Sequence, residues 1–150
     1  MRTEPTGPGV LAAEAIRLGL SAADQADAIA QCGRVLLEIG AVEEPYPATM
    51  HERERSVSTF VGEGIAIPHG TDAGRAYVRR TALAVLQFPA GVDWGGNDVR
   101  LCVAIAASGD EHVGVLAALA NALLEPGVAR SLREAADPEA VLAVLRVEPS

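Results

Sequence analysis

The chain has 150 residues, 49% of them hydrophobic and 21% charged, which is enough for one folded domain with a buried core. Twelve basic against twenty acidic residues give a net charge of −8, which argues against nucleic acid as the main partner, because phosphate backbones bind positive surfaces. All the basic residues are arginines, so a Schiff-base lysine and a P-loop lysine are both excluded.

The N-terminal residues are rich in proline and glycine. Residues 1–12 therefore predict a flexible tail rather than a signal peptide, followed by a single domain over residues 13–150. Residues 12–18 predict a short first strand that overlaps this boundary. No apolar stretch approaches the ~18 to 20 residues that span a bilayer, so we expect a soluble cytoplasmic domain without membrane insertion.

Two helices are predicted next. The first begins at Ser21, with Asp24 three residues later in a variant of the capping box, and ends at Gly40. The PYP sequence at residues 45–47 predicts a turn. Residues 48–55 predict a short polar helix that carries most of the local charge.

The second half of the chain predicts a covered sheet with helices. Two apolar runs, residues 81–88 and 101–107, have strand length, and neither alternates, which indicates that both faces of their sheet are covered. Helices are predicted over residues 113–124, 128–135 and 139–145. The order of elements predicts an α/β fold, a three-layer α/β/α sandwich with a central mixed sheet.

Several familiar sites are missing from the sequence. Gly62-Glu63-Gly64 begins like a dinucleotide fingerprint, but Ile67 stands where the third glycine belongs. There is no GxSxG elbow and no HExxH zinc helix. Cys32 and Cys102 lie far apart in apolar runs without a metal-ligand spacing, so we expect buried free thiols.

His69 is the first candidate for chemistry. It follows Pro68, where an apolar strand over residues 64–67 must leave the sheet because proline has no amide hydrogen and a fixed φ. Gly70 follows and would let a partner approach the backbone closely. An imidazole displayed at a strand end is well placed to react with another molecule, although a turn histidine with a satisfied ring is the alternative.

His112 is the second candidate, because it follows the other strand at the start of the next helix. The two strand ends would bring both imidazoles to one edge of the sheet, whereas a surface residue at a helix start is the alternative. His51, Arg53 and Arg55 lie in the charged run HERER, which a solvated helix face also explains.

Two histidines and an arginine fit two chemistries. As metal ligands, His69 and His112 lack a convincing third member, although Asp110 or Glu111 would serve. A phosphoryl-transfer site fits better: one neutral imidazole is the nucleophile, while the other and Arg53 donate hydrogen bonds to phosphoryl oxygens. No nucleotide loop is needed if the donor is another phosphoprotein.

The segment around His69 resembles a known family. Residues 58–71, STFVGEGIAIPHGT, closely resemble the phosphorylation segment of enzyme IIA domains of the bacterial phosphoenolpyruvate:sugar phosphotransferase system, mannitol/fructose class. The resemblance covers about residues 13–146 and includes Ile16 to Leu20, LLEIGAV at 36–42, MHERE at 50–54, PAGVDWG at 89–95, and Glu111-His112 followed by Leu116, Leu119, Asn121 and Leu123.

This resemblance implies an α/β/α sandwich with a mixed sheet and a role for each candidate. His69 would accept a phosphoryl group on Nε2 from the histidine-containing phosphocarrier protein and pass it to a cysteine of the IIB domain of a sugar permease. His112 corresponds to the second active-site histidine, and Arg53 to the arginine that helps to hold the phosphoryl group. No cofactor and no metal are implied.

Within the family, the PHGT ending, the PAGVDWG segment and the Glu-His stretch are most similar to mannitol-specific IIA proteins. Fructose-type IIA and the nitrogen-related regulatory IIA, which share the Pro-His core, are the alternatives. The sugar does not touch this domain, so no residue of the sequence reports which sugar is transported. The oligomeric state, and whether the chain is free-standing or part of a fusion, are left open.

Overall fold

The computed structural model describes residues 10–108 and 111–145, with Glu111 and His112 described by their backbone only. One sheet contains the five strands Ile16–Arg17 (β1), Phe60–Gly62 (β2), Ile65–Ala66 (β3), Ala82–Trp94 (β4) and Asn97–Ala106 (β5). The α-helices of the described residues are Gln25–Glu38 (α1), Tyr46–Ser56 (α2), Glu111–Leu123 (α3), Pro126–Arg133 (α4) and Pro138–Val144 (α5).

The sheet is mixed, as the sequence predicts. Its strand order is β1-β4-β5-β3-β2. The long strands β4 and β5 pair antiparallel, β1 runs parallel to β4, and β3 runs parallel to β5. Because β3 and β5 are parallel neighbours, the chain leaves both at the same edge of the sheet, and this edge carries the segment of His69.

The helices cover both faces of this sheet, which confirms the three-layer prediction. Side chains alternate along a strand, so successive residues of β4 and β5 enter opposite cores. One core joins the sheet to α1 and α2 and contains the strand residues Ala84, Leu86, Phe88, Cys102, Ala104 and Ala106. The other joins it to α3, α4 and α5 and contains Leu83, Val85, Leu101, Val103 and Ile105.

Two predictions for the N-terminal part, the bounds of the first strand and the start of the first helix, are wrong. The first strand is only Ile16–Arg17, because residues Ala13–Ala15 form a 3₁₀ helix. Helix α1 begins after Asp24, not at Ser21: the Asp24 carboxylate accepts a 2.8 Å hydrogen bond from the Asp27 amide and is itself the N-cap. Val10 is buried, and its carbonyl accepts from the Leu83 amide at 2.8 Å, so packing begins before residue 13.

The prolines near residue 46 start a helix rather than forming a separate turn. Pro45 is the N-cap of α2 and Pro47 lies in its first turn, where a missing amide hydrogen leaves no helical bond unmade. The predicted polar helix is therefore longer at both ends.

Cys32 and Cys102 are buried free thiols, as expected.

Candidate active site

His69 lies just beyond the end of β3. The Pro68 carbonyl accepts a 2.9 Å hydrogen bond from the Ile105 amide of β5, and His69 forms a parallel bridge with Ile105. Proline offers the sheet no amide hydrogen, but its carbonyl continues the pairing. The imidazole is therefore held against the edge of the sheet, and only 6% of the residue is exposed.

The ring of His69 is oriented by a carbonyl of its own segment. Its Nδ1 lies 2.9 Å from the Ile67 carbonyl oxygen, which can only accept, so Nδ1 carries the proton. In the neutral ring the lone pair then belongs to Nε2. Burial lowers the pKa of His69 below its ordinary value of 6.5; the Ile67 bond opposes this, while the positive charge of Arg53 adds to it. The ring is thus neutral near pH 7.

Tyr46 fixes the residue after His69. Its hydroxyl accepts a 2.9 Å hydrogen bond from the Gly70 amide and donates one of 2.8 Å to the Ile105 carbonyl. Tyr46 is 2% exposed, and burial raises its pKa to about 12. One phenol from α2 therefore connects the segment of His69 to the end of β5.

Gly70 is required by this packing. A Cβ at Gly70 would lie 2.7 Å from Cε1 of Tyr46 and still closer to Oγ1 of Thr49. The sequence reasoning assigned this glycine to the close approach of a partner. The structure gives a different reason, because the space beside Gly70 is filled by α2 of the same chain.

Arg53 is on the face of α2 that also carries Tyr46 and Met50, both buried. Their spacings of seven and three residues place the three on one side of a helix. The Arg53 side chain is half-buried and its Nη1 donates a 2.6 Å hydrogen bond to the Val57 carbonyl at the end of α2. Burial is the main cause of the lowered pKa of His69, and the charge of Arg53 lowers it further.

Comparison with known proteins gives the family. A family model described as "Phosphoenolpyruvate-dependent sugar phosphotransferase system, EIIA 2" matches residues 10–147. The chain belongs to this family. It is therefore a IIA component of the phosphotransferase system, and the resemblance found in residues 58–71 is confirmed.

Individual relatives agree with this assignment. The IIA domain is 42% identical over 112 residues to the mannitol-specific phosphotransferase enzyme IIA component of Staphylococcus aureus, across 75% of this chain and 78% of that protein. It is 42% identical over 131 residues to a multiphosphoryl transfer protein of Xanthomonas campestris, but spans only 16% of that protein's length. The complex of enzyme IIA-Mtl with phosphorylated enzyme IIB-Mtl from Escherichia coli contains a chain that superposes with a TM-score of 0.82 and 36% identity, covering 88% of this IIA domain and 94% of that chain.

The second predicted histidine is only partly described. His112 is the second residue of α3, and this helix follows β5 at the edge where the chain also leaves β3. The two segments therefore meet at one edge, as expected from the sequence. The side chain of His112 lies outside the described part of the structure, so its role stays a prediction.

Two further charged residues belong to this region of the IIA domain and were missed by the sequence analysis. Glu54, interpreted as part of a solvated run, accepts hydrogen bonds from Thr59 and Trp94. Arg75, in the 3₁₀ helix Ala73–Tyr77, pairs with Asp72, and its charge lowers the pKa of His69. Neither residue lies in a motif of its own, so only folding reveals its position.

Residues 10–108 and 111–145 contain no group of three or more His, Cys, Asp and Glu side chains that could hold a metal ion, with Asp110 and the side chains of Glu111 and His112 outside that comparison. In the same ranges no single helix is long and apolar enough to cross a bilayer. Two consecutive helical segments, Val113–Leu123 and Pro126–Arg133, are together long and apolar enough to span a bilayer, by length and composition only. They are bent by 92° relative to each other.

Proposed function

We propose that this IIA domain accepts a phosphoryl group on Nε2 of His69 from the histidine-containing phosphocarrier protein and passes it to a cysteine of the IIB domain of a mannitol permease. One observation carries the proposal: the hydrogen bond of 2.9 Å from Nδ1 to the Ile67 carbonyl. It selects the tautomer whose Nε2 has the lone pair. Because the pKa of His69 is lowered, this nucleophile is neutral at physiological pH.

Two in-line transfers complete the cycle. In the first, the Nε2 lone pair forms a bond to phosphorus while the donor's N–P bond breaks, and its electron pair returns to the donor nitrogen. The Nδ1 proton remains on the ring, facing the Ile67 carbonyl. In the second, a thiolate of the IIB domain attacks phosphorus, the Nε2–P bond breaks, and His69 regains its lone pair. No metal, cofactor or nucleotide enters either step.

Arg53 and His112 are the proposed partners of the transferring group. A guanidinium keeps its charge at any relevant pH and donates several hydrogen bonds, so it offsets charge on phosphoryl oxygens. The support for Arg53 is its electrostatic effect on His69. The support for His112 is the position of its backbone at the start of α3, at the same edge of the sheet.

Exposed apolar side chains next to these segments suit docking of the two protein partners in turn. Val57 is 62% exposed at the end of α2, Val61 is 40% exposed in β2, and Val113, beside His112, is 71% exposed. Transient encounters between proteins bury small interfaces, so a few exposed apolar side chains are enough for them. Mannitol as the transported sugar is supported by the similarity to the Staphylococcus aureus enzyme, and the proposed partners imply a cytoplasmic location.

The experiment is a phosphorylation relay. The protein is incubated with labelled phosphoenolpyruvate, enzyme I and the histidine-containing phosphocarrier protein, and purified mannitol and fructose IIB domains are then added. We expect an acid-labile, base-stable label that is absent from His69→Ala, retained in the control His51→Ala, and passed preferentially to the mannitol IIB domain. Label that persists in His69→Ala refutes the site. Label that reaches no IIB domain favours the regulatory alternative, and preference for the fructose IIB domain refutes mannitol.

A further inference from the structure

Glu54 takes no part in the transfer steps described above, although its carboxylate is half-buried next to the segment of His69. We propose that Glu54 is a positioning residue for His69: its carboxylate holds the backbone of the strand region whose carbonyl orients the imidazole. The inference rests on the proposed function for its consequence in phosphoryl transfer. Its geometric part concerns the unphosphorylated protein and is tested separately.

Three hydrogen bonds converge on the Glu54 carboxylate. Oε2 accepts from the Thr59 amide at 2.8 Å and from Nε1 of Trp94 at 2.9 Å, and Oε1 accepts from the Thr59 hydroxyl at 2.6 Å. Thr59 is 4% exposed and Trp94 is 1% exposed. Hydrogen bonds to an ionised acceptor are shorter and stronger than neutral ones, so this carboxylate is a firm anchor for Thr59.

Thr59 in turn holds the segment that ends at His69. Its carbonyl accepts a 3.0 Å hydrogen bond from the Ile67 amide, and the Ile67 carbonyl accepts from Nδ1 of His69 at 2.9 Å. Each of the two linking residues is thus fixed at both its amide and its carbonyl. Glu54 acts on His69 only by fixing the positions of the backbone groups between them, because the hydrogen bonds belong to different peptide groups.

The position of the Ile67 carbonyl decides which nitrogen of His69 is the nucleophile. While the carbonyl remains in line with Nδ1, that nitrogen keeps the proton and Nε2 keeps the lone pair. If the carbonyl moves, the opposite tautomer gains population, and its protonated Nε2 cannot attack phosphorus. A site of this kind loses rate steeply with small displacements, about 10²-fold for 1 Å.

The test variant is Glu54→Gln, and the matched control is Trp94→Phe. Glutamine has one acceptor oxygen in place of two and no charge, so it cannot keep all three bonds. Trp94→Phe removes one donor from the same carboxylate and disturbs the same core, but leaves both Thr59 bonds. Circular dichroism and cooperative urea unfolding report the folded state of both variants.

Two quantities are measured in each folded variant. Long-range proton–nitrogen NMR of the His69 ring gives the tautomer and the pKa, and rapid mixing with the phosphorylated phosphocarrier gives the transfer rate. For Glu54→Gln we expect loss of the Nδ1-protonated tautomer and a roughly 10- to 100-fold slower transfer. The pKa of His69 falls, because an anion and the Ile67 bond that both raise it are removed or weakened.

The outcomes are separable. A folded Glu54→Gln protein with the wild-type tautomer and rate overturns the inference, as does a Trp94→Phe protein that is equally slow. If Glu54→Gln fails to fold, Glu54→Asp replaces it, because aspartate keeps the charge but its carboxylate is one methylene too short to hold both Thr59 and Trp94; an unchanged ring and rate there also overturn the inference. If the wild-type protein takes no phosphoryl group, the proposed function fails, whereas the tautomer measurement still decides whether Glu54 orients His69.

Discussion

Replacing Tyr46 by phenylalanine removes one oxygen atom that connects three parts of the site. In the wild-type protein the Tyr46 hydroxyl bonds to the Gly70 amide at 2.9 Å and to the Ile105 carbonyl at 2.8 Å, and both groups lose this partner in Tyr46→Phe. Only 2% of Tyr46 is exposed, so both bonds are buried. An unsatisfied buried polar group costs roughly 1–3 kcal/mol, so we expect Tyr46→Phe to lower the free energy of unfolding by about 3 kcal/mol. For a chain of this length, this loss of free energy corresponds to a melting temperature that is lower by roughly 10 °C.

The same hydroxyl gives the wild-type protein a specific pH dependence. Burial raises the pKa of Tyr46 from 10.0 to about 12, so the unfolded chain releases this proton first as the pH rises. The stabilisation is complete below pH 10.0 and is lost on the way to pH 12, which by linkage amounts to about 3 kcal/mol. Tyr46→Phe has no proton to release, so its stability lacks this alkaline loss.

The assay is urea unfolding at neutral pH and at about pH 11, with Tyr77→Phe as the control, since Tyr77 is the only other tyrosine. Tyr77→Phe keeps the whole alkaline loss of the wild-type protein, whereas Tyr46→Phe lacks the part that Tyr46 contributes. Equal stability of Tyr46→Phe and the wild-type protein at neutral pH would refute the two buried hydrogen bonds. The pKa of Cys102 is also raised, by its hydrogen bond to Cys32 and by burial, so every variant keeps some alkaline loss. An alkaline loss in Tyr46→Phe as large as that of the wild-type protein would refute the assignment of the raised pKa to this phenol.

Four other predictions concern the site directly. Because the pKa of His69 is lowered in the folded state, its contribution to stability is complete above pH 6.5 and is lost as the pH falls through the folded pKa. NMR titration of the ring checks this, and a titration midpoint above 6.5 contradicts it. Arg53→Ala slows phosphoryl transfer but lowers the free energy of unfolding by only about 1 kcal/mol, which is the contribution of one hydrogen bond to Val57. Stopped-flow kinetics measure the transfer rate, and thermal unfolding measures the stability. His112→Ala folds like the wild-type protein and transfers much more slowly; a large loss of thermal stability would show a structural residue instead. Gly70→Ala costs about 1–3 kcal/mol through overpacking against Tyr46, whereas Gly127→Ala, where nothing lies within 4 Å, does not destabilise.

The sequence predicts the features that local chemistry determines. A proline at the end of an apolar run ends the regular strand, so His69 is found just beyond β3 as expected, although its bridge with Ile105 keeps it against the sheet. Unbroken apolar runs in β4 and β5 are buried on both faces, which gives the three layers. These predictions are correct because each depends on residues close together in the chain.

The residues that were missed depend on contacts between distant parts of the chain. In the run HERER, nothing distinguishes Glu54 from its charged neighbours until Trp94, forty residues away, reaches it in the folded chain. The same holds for Gly70, whose packing against Tyr46 joins positions 24 residues apart. At α1 the error was local: Ser21 and Asp24 are both good N-caps, and the helix uses Asp24, whose carboxylate accepts from the Asp27 amide.

The electrostatics of the site are consistent with both halves of a carrier's cycle. Burial is the main cause of the lowered pKa of His69, and Arg53 and Arg75 lower it further, which means that their positive field also favours the neutral imidazole over the imidazolium. The same field favours a phosphoryl group on that ring, because it carries negative charge where the proton would carry positive charge. Under the proposed function, one arrangement of cations thus keeps the nucleophile unprotonated before transfer and stabilises the phosphorylated state after it. Replacing either arginine should therefore raise the pKa of His69 and weaken phosphorylation together, and a variant that changed only one of them would separate the two effects.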